Sequence, residues 1–180
     1  MFAGRKATFI RLAGCNLDCP WCDTKDKMNG FYHTLTIAGI VQQIPKDVSS
    51  VVITGGEPTI HSEEKLVGLA RMIHRCSSGM FVSLETNGTN RTPAGIWITC
   101  SPKPPNYTIH EHCRYDELKY VVDDVFDVSV IPRSVWHSPH PIIVQPESMK
   151  PESMKKCYDL VMRYPRLRLG VQLHKVLGVE

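Results

Sequence analysis

The fold is indicated most directly by residues 50–84, which read SVVITGGEPTIHSEEKLVGLARMIHRCSSGMFVSL. This stretch begins and ends with β-rich runs, Ser50–Thr54 and Met80–Leu84. Between them, apolar residues recur at the helical spacing i, i+3, i+4 and i+7, at Leu66, Leu69, Ala70 and Ile73. Ser62 precedes this pattern in the position of a helix N-cap. A strand, a helix and a second strand in succession form a βαβ unit, which predicts a mostly parallel sheet.

The same alternation continues along the chain. Further β-rich runs lie at Ala7–Leu12, Ile96–Cys100, Glu117–Val122, Pro141–Val144 and Leu167–Leu173. Six or seven strands are too few for a complete eight-stranded barrel in 180 residues. We therefore expect the α/β class, with a partial (open) barrel of six or seven mostly parallel strands, flanking helices and a single domain over residues 1–180.

Two further helices are predicted. In PESMKKCYDLVMRY, Pro151 suits the first turn. The apolar face of this helix is expected to consist of Met154, Cys157, Tyr158, Val161 and Met162. A weaker helical pattern covers residues 36–44.

Composition argues against several classes of protein. The formal net charge is +3, and the 21 Lys and Arg form no basic run and no stripe with aromatic residues, so nucleic-acid binding is not expected. No run approaches the ~20 apolar residues that span a bilayer, and the N-terminus lacks the apolar segment of a signal peptide. Seven cysteines, three of them close together, indicate a reduced compartment, so we expect a cytoplasmic protein without membrane association.

Polar clusters follow the predicted strands. GCNLDCPWCDT follows the first strand, TGGEP the second, ETNGT the third, SPK the fourth and QPES the sixth, and QLHK closes the last. In parallel α/β architectures, the loops at the carboxyl ends of the strands share one face, where active sites form. These clusters are therefore expected to converge on one rim of the sheet.

The first cluster contains three cysteines, Cys15, Cys19 and Cys22, at the spacing C-x3-C-x2-C. Structural zinc would need a fourth ligand, such as His33 or His61, and the chain lacks the second cysteine pair that such sites usually have. A thioredoxin-like pair would use two of the cysteines and leave Cys15 unexplained. A cubane iron–sulfur cluster held by three thiolates uses all three and leaves one iron open to an exogenous ligand.

This spacing, with aromatic Trp21 before the last cysteine, resembles the radical S-adenosylmethionine (SAM) superfamily. The resemblance implies a [4Fe-4S] cluster whose open iron binds the amino and carboxylate groups of SAM. Gly55, Gly56 and Glu57 are similar to the family's GGE motif, whose backbone accepts the methionine amino group; taken alone, the two glycines would indicate a turn. The resemblance also places strand-end side chains beside SAM, together with Trp21; these are Glu85, Thr86, Asn87, Ser101, Lys103 and Gln145.

Six segments together resemble the 7-carboxy-7-deazaguanine synthase family: FIRLAGCNLDCPWCDT, VVITGGEP, LETNGT, WITCSPK, IIVQPES and QLHK. The similarity runs from Phe9 to the C-terminus and thins over residues 104–115 and 123–140. It implies conversion of 6-carboxy-5,6,7,8-tetrahydropterin to 7-carboxy-7-deazaguanine, a step toward queuosine and other 7-deazapurines. In the implied reaction, a 5′-deoxyadenosyl radical takes hydrogen from C6 of the pterin, and ring contraction with loss of ammonia follows.

The match also implies roles in substrate and metal binding. Arg11 would direct its guanidinium to the pterin, and its position at the inward end of an apolar strand favours a partner for its charge. Thr24 corresponds to the family's hydroxyl ligand of a Mg²⁺ ion that also holds the substrate carboxylate, with Asp23 near it. Further substrate contacts are implied at Gly56, at His174 and at the α-carboxylate of Glu180.

Parts of the sequence fall outside the match. The resembling family carries a Gln-Gly-Glu-Gly segment ahead of the part that begins MFAGRKATFIRL here, and its loss is expected to affect substrate affinity more than cofactor binding. Four cysteines lie outside the triplet, at Cys76, Cys100, Cys113 and Cys157. Their wide spacing predicts buried free thiols rather than a second cluster. The strings HEHC at residues 110–113 and HSPH at residues 137–140 are interpreted as loops.

Two other functions fit parts of the sequence. A glycyl-radical-activating enzyme uses the same cysteine spacing, but it would have no use for CDT or for a C-terminal QLHK. A non-catalytic iron–sulfur or zinc-binding module would bind metal without cleaving SAM, and it would need no cofactor pocket. The preferred interpretation implies a small-molecule pterin substrate, an electron donor such as a flavodoxin or ferredoxin, and a homodimer, as in related enzymes.

Overall fold

The computed structural model describes residues 4–25 and 32–179. Its centre is a seven-stranded sheet made of β1 Ala7–Leu12, β2 Ser50–Gly55, β3 Phe81–Thr86, β4 Trp97–Cys100, β5 Glu117–Val122, β6 Ile142–Pro146 and β7 Leu167–Leu169. Each strand pairs in parallel with the next strand along the chain, and β1 and β7 form the two edges. Within the described residues the sheet does not close, so the predicted open barrel of six or seven mostly parallel strands is confirmed.

The described residues also contain five α-helices, which are α1 Ile37–Gln42, α2 Glu63–Cys76, α3 Arg133–Trp136, α4 Pro151–Arg163 and α5 Leu173–Leu177. Helix α2 is the one predicted within residues 50–84. Its N-cap is Ser62, whose side chain accepts a hydrogen bond from the Lys65 amide, and its buried residues are the four predicted ones. In the part of the chain that the structure describes, no helix combines the length and apolar character needed to cross a membrane.

Helices α1 to α4 pack against one face of the sheet in two hydrophobic clusters. The first cluster joins α2 to β2, β3 and β4, and includes Ile53, Leu66, Leu84 and Ile98. The second cluster joins α4 to β5 and β6, and includes Leu118, Tyr120, Ile142 and Cys157. Tyr115 packs against both clusters. Two adjoining cores therefore support one continuous sheet.

The opposite face of the sheet carries a polar row across five strands. The register aligns Arg11 with Thr54, and it aligns Glu85 with Thr99. Thr54 and Glu85 directly follow the aligned pair Ile53 and Leu84, and the Thr54 hydroxyl donates to Glu85. Between β4 and β5, Thr99 is aligned with Glu117. Because aligned residues of neighbouring strands point to the same face, these side chains share the face that the helices leave. This face is suited to bind a polar ligand.

The second half of the predicted strand Leu167–Leu173 is wrong. Strand β7 ends at Leu169, and QLHK leads into α5. The Gly170 amide still donates to the Val144 carbonyl oxygen (2.8 Å), but the chain leaves β6 after this bond. A competing helical pattern explains the change, because apolar residues recur at i, i+3 and i+4, at Leu173, Val176 and Leu177. His174 is therefore a helix residue and not a strand-end residue.

Helix α4 is present as predicted, but its expected buried face is partly wrong. Cys157 is buried and Val161 packs against the second cluster, as expected. Three other members of the predicted face are 39–66% exposed, namely Met154, Tyr158 and Met162. The face toward the sheet is completed instead by Ser153, Leu160 and Tyr164. The small side chains of Ser153 and Cys157 allow the helix to approach the sheet closely, which leaves the larger side chains outside.

Candidate functional site

The three predicted cluster cysteines lie in the loop that follows β1, which we call the cysteine loop (residues 13–24). All three are free thiols; Cys15 is exposed, and Cys19 and Cys22 are half-buried. Burial raises the pKa of the Cys19 thiol, nearby Lys103 lowers it, and the charges of Cys15 and Cys22 raise it again. Cys15 and Cys22 therefore each lie close enough to Cys19 to affect its charge. Among residues 4–25 and 32–179, no three His, Cys, Asp or Glu side chains are placed to hold a single metal ion.

The GGE segment joins the cysteine loop to the end of β2. The amides of Gly56 and Glu57 donate to the carbonyl oxygens of Leu12 (3.0 Å) and Gly14 (2.8 Å). Gly55 has a φ of +130°, and a Cβ atom there would overlap backbone atoms of Leu12. Glycine permits both this φ and this close approach. The GGE segment thus fixes the start of the cysteine loop.

The Glu57 carboxylate is fully buried and is held by protein groups. It accepts hydrogen bonds from the Thr59 amide (2.9 Å) and the Thr59 hydroxyl (2.7 Å). It also accepts bonds from the Thr86 hydroxyl (2.6 Å) and the Asn87 amide (2.5 Å) at the end of β3. These four donors compensate the buried charge. Glu57 therefore ties the end of β2 to the end of β3.

The first half of the cysteine loop is anchored to the segment after β3. The Asn87 side-chain amide donates to Asn16 Oδ1 (2.9 Å), and the Asn16 amide donates to the Thr89 hydroxyl (2.8 Å). The Thr89 amide and hydroxyl donate in turn to Asn87 Oδ1 (3.0 and 2.7 Å). Asn87 therefore lies at the predicted rim, and it positions the loop that carries the cysteines.

The second half of the cysteine loop is anchored at the end of β5. The Trp21 indole N–H donates to Asp123 Oδ2 (3.0 Å), and the Lys103 ammonium lies 5.6 Å from the centroid of the Trp21 ring. Trp21 and Lys103, both predicted at the site, are thus brought together. The cysteine loop reaches from the end of β3 to the end of β5.

A group of charged residues lies on the polar face of the sheet. Lys119 Nζ is 2.9 Å from Glu85 Oε1, and the Thr54 hydroxyl donates to Glu85 Oε2 (3.4 Å). The Lys119 ammonium lowers the pKa of the Glu85 carboxyl. Lys103 donates to the Ser101 hydroxyl (2.5 Å), and burial, aided by the charge of Lys119, lowers the pKa of Lys103 to about 8. The two lysines flank one carboxylate, so the site has positive charge to offer an anionic ligand.

Other predicted residues lie around this face. Arg11 belongs to the polar row, but the inward position predicted for it is wrong. β1 is an edge strand of the described sheet, and the Arg11 side chain is exposed, with its guanidinium 5.5 Å from the centroid of the Phe9 ring. Gln145 is half-buried near the end of β6. The Thr24 hydroxyl is 3.4 Å from Cys22 Sγ. These residues are at the same end of the sheet as the cysteine loop.

The C-terminal helix also reaches the cysteine loop. Lys175 Nζ in α5 is 3.8 Å from Asp23 Oδ2, which joins QLHK to CDT. His174 is exposed next to Lys175. Glu180 lies outside the described residues.

Three of the four remaining cysteines are buried, as predicted. Cys100 and Cys113 face each other with their sulfurs 3.8 Å apart, and Cys157 lies in the second cluster. The prediction is wrong for Cys76, which is exposed. Cys76 is the last residue of α2, three positions beyond the last buried residue of that helix, Ile73.

Four residues of the site were absent from the predicted set. Lys119 and Glu117 are both charged and lie on one face of the β5 sequence ELKYVV, which was a usable signal. Asp123 follows β5 directly, at the same strand end as the other polar clusters. Asn16 lies between two cysteines and has no local pattern of its own.

The chain is similar to known proteins in sequence and in structure. The model of the radical SAM superfamily matches residues 9–119. A 7-carboxy-7-deazaguanine synthase from Aquifex aeolicus is 33% identical, and the alignment covers 100% of this chain and 88% of the relative. A relative of the same name from Synechocystis sp. is 34% identical, with 99% and 86% covered. A crystal structure of QueE from Escherichia coli aligns with a TM-score of 0.77 at 26% identity, covering 95% of this chain and 87% of that one.

Proposed function

Because the chain belongs to the 7-carboxy-7-deazaguanine synthase family of the radical SAM superfamily, we propose that it forms 7-carboxy-7-deazaguanine. The substrate in this proposal is 6-carboxy-5,6,7,8-tetrahydropterin, and the reaction is a radical ring contraction of the carbon–nitrogen lyase type in queuosine biosynthesis. Membership of the superfamily implies a [4Fe-4S] cluster and SAM.

One observation carries this proposal: three free thiols meet a polar sheet face at the carboxyl ends of parallel strands. The cysteine loop is attached to β2 by the GGE segment, to the end of β3 by Asn16 and to the end of β5 by Trp21. It therefore lies beside Glu85, Lys103 and Lys119. A module that only bound metal would have no need for this charged face next to its thiols.

The residues present fit a cluster held by three thiolates. Thiolates are the ligands of such clusters, and the three cysteines of the loop are free thiols. Cys15 is exposed, so a small molecule can approach this end of the loop. When bound, the cluster and SAM supply the one-electron chemistry that begins the reaction.

We assign SAM to the strand ends beside the cysteine loop. The backbone of Gly55 and Gly56 would meet its amino group, and Lys103 with Ser101 offers a cation and a hydroxyl to its polar groups. Glu57 would act through its bonds to the ends of β2 and β3, because all four of its hydrogen bonds go to protein groups. The remaining proposed SAM-binding residues are Trp21, Glu85, Thr86, Asn87 and Gln145.

We assign the pterin to the same face. Arg11 would bind its anionic or carbonyl edge, and the Thr24 hydroxyl would hold Mg²⁺, a cation that prefers oxygen ligands. The Asp23–Lys175 contact supports a role for His174, since it brings α5 to the loop that contains Thr24. The other proposed substrate contacts are Gly56 and Glu180.

The proposed reaction needs an electron donor, for which a flavodoxin or ferredoxin is the expected class. We also propose a homodimer, and a cytoplasmic location in which the three thiols stay reduced. Sedimentation of the purified chain tests the dimer independently of activity.

The deciding experiment is reconstitution with iron and sulfide without oxygen, followed by SAM, a reductant, Mg²⁺ and 6-carboxy-5,6,7,8-tetrahydropterin. Mass spectrometry should detect both 5′-deoxyadenosine and 7-carboxy-7-deazaguanine. Replacing Cys22 by Ala should abolish both compounds. Replacing exposed Cys76 by Ala is the matched control and should leave both unchanged.

The outcomes separate the alternatives. Formation of 5′-deoxyadenosine without 7-carboxy-7-deazaguanine would contradict the substrate assignment and leave other radical SAM activities, including activation of a glycyl-radical partner. Neither compound appearing from a chain with its cluster in place would favour the non-catalytic module.

A further inference from the structure

The contact between Trp21 and Asp123 joins residues that are 102 positions apart. Asp123 is 8% exposed and directly follows β5, and its Oδ2 accepts the indole N–H at 3.0 Å. A hydrogen bond to a carboxylate is stronger than one between neutral groups. This bond is therefore a strong tie between the cysteine loop and the sheet.

Asp123 is itself held in place from two sides. Its Oδ1 accepts the Phe126 amide hydrogen (2.9 Å), which fixes the orientation of the carboxylate. The Lys156 ammonium in α4 donates to the backbone carbonyl oxygens of Asp123 (3.0 Å) and Asp124 (2.7 Å). The acceptor that Trp21 meets is thus connected to the helix that covers β5 and β6.

The Trp21–Asp123 hydrogen bond affects the thiols because Trp21 lies between two of them in the chain. Trp21 directly precedes Cys22 and lies two residues after Cys19, and the Cys22 amide donates to the Cys19 carbonyl oxygen (3.2 Å). A shift of the indole would therefore move the segment that holds both sulfurs. Lys103 supports the ring from its face, 5.6 Å from the centroid, while Asp123 holds its edge.

We propose that Asp123 is a positioning residue for the iron–sulfur cluster: it fixes Trp21, sets the placement of Cys19 and Cys22, and places a negative charge at the Trp21 indole that lies between them in the chain. This inference rests on the proposed function in one respect, the assignment of the cluster to the cysteine loop. A carboxylate near the cluster favours its more oxidised, less negative state, so the carboxylate also lowers the reduction potential.

Four variants test the two effects separately. Trp21→Phe removes the N–H donor and keeps the Asp123 charge, whereas Asp123→Asn removes the charge and one of the two acceptors. The double variant tests whether the residues act as a pair. Asp124→Asn is the matched control, because the neighbouring Asp124 side chain is exposed.

Each protein is reconstituted with iron and sulfide, and cluster loss is followed by visible absorbance after a ferrous chelator is added. Trp21→Phe and Asp123→Asn should each lose the cluster about tenfold faster than wild type, the size expected for one charge-assisted hydrogen bond. The double variant should be no faster than Asp123→Asn alone, and Asp124→Asn should match wild type. A reductive titration monitored by electron paramagnetic resonance should show a more positive potential for Asp123→Asn than for Trp21→Phe.

Equal rates of cluster loss in wild type, Trp21→Phe and Asp123→Asn would overturn the inference, and so would fully additive effects in the double variant. If Asp123→Asn does not fold, Trp21→Phe decides, because it leaves Asp123 intact. A wild-type chain that takes up no iron would defeat the proposed function together with this inference. Unchanged rates among iron-loaded proteins would defeat this inference alone.

Discussion

Glu57 illustrates how one side chain can organise the site through hydrogen bonds to protein groups. Its carboxylate is fully buried and accepts four hydrogen bonds, two from Thr59 and two from the end of β3. A buried carboxylate is tolerated only when such donors surround it. At this position, the GGE motif therefore contributes to stability.

Replacing Glu57 by Gln should destabilise the protein and loosen the end of β3. The amide nitrogen of Gln cannot accept the bonds that one carboxylate oxygen receives, so we expect a loss of about 2–3 kcal/mol in the free energy of unfolding. For a chain of this size this corresponds to a decrease of roughly 4–12 °C in the melting temperature. Thermal unfolding by circular dichroism measures it.

The control for this substitution is Glu111→Gln, since the Glu111 side chain is 81% exposed. It should change the melting temperature by little, as is usual for surface positions. If Glu57→Gln had the same melting temperature as wild type, the Glu57 carboxylate would not be what connects the ends of β2 and β3.

At the scale of elements, patterns within one segment predicted most of the fold. The spacing in α2 identified its buried face and its N-cap, because a single apolar stripe is present in that helix. In α4, two overlapping stripes are apolar, and packing against the sheet chose the one with the small residues Ser153 and Cys157. The pattern around QLHK is compatible with both a strand and a helix, and in the structure this segment enters helix α5.

The site was predicted to the extent that its residues follow strands in recognisable motifs. The cysteine triplet and the GGE, ETN and SPK segments converge on one rim, as expected. Asn16 and Asp123 were missed because each acts through a partner distant in sequence, 71 and 102 positions away. Such pairs leave no spacing that a single sequence can display.

The junction between β1 and β2 yields a test at this scale. Gly55→Ala should strongly destabilise the protein, because the added Cβ would overlap backbone atoms of Leu12 and the φ of +130° is unfavourable for alanine. We expect a cost of about 3 kcal/mol or more, since strain at such a backbone position adds to the overlap. Urea unfolding measures this loss.

Gly68→Ala is the matched control, because Gly68 lies within α2 and a Cβ there would meet only Ile37 Cδ1 at 3.4 Å. An alanine in a helix interior should be neutral or stabilising by about 0.5–1 kcal/mol. Equal stability of the two variants would show that the end of β2 can move away from β1, contrary to the geometry.

At the scale of the whole molecule, the sheet is continuous while the core is divided. The first cluster lies behind β2–β4 and the second behind β5 and β6. Strands β4 and β5 are paired over two residues each, with Thr99 aligned with Glu117 and Cys100 with Leu118. Tyr115 packs against both clusters just before β5 begins. The cysteine loop also spans the boundary between the two clusters, since its anchors lie at the ends of β3 and β5.

Tyr115 should therefore determine whether the two halves unfold together. Tyr115→Ala removes a side chain shared by both clusters, and we expect a loss of about 3 kcal/mol together with separate unfolding of the halves. Single-tryptophan versions that keep Trp97 in β4 or Trp136 in α3 report on each half by fluorescence during urea unfolding. Leu160→Ala, which affects the second cluster alone, should lower stability by a similar amount while the two probes still unfold at one midpoint. Coincident transitions in Tyr115→Ala would show that the sheet and the cysteine loop keep the halves coupled without this side chain.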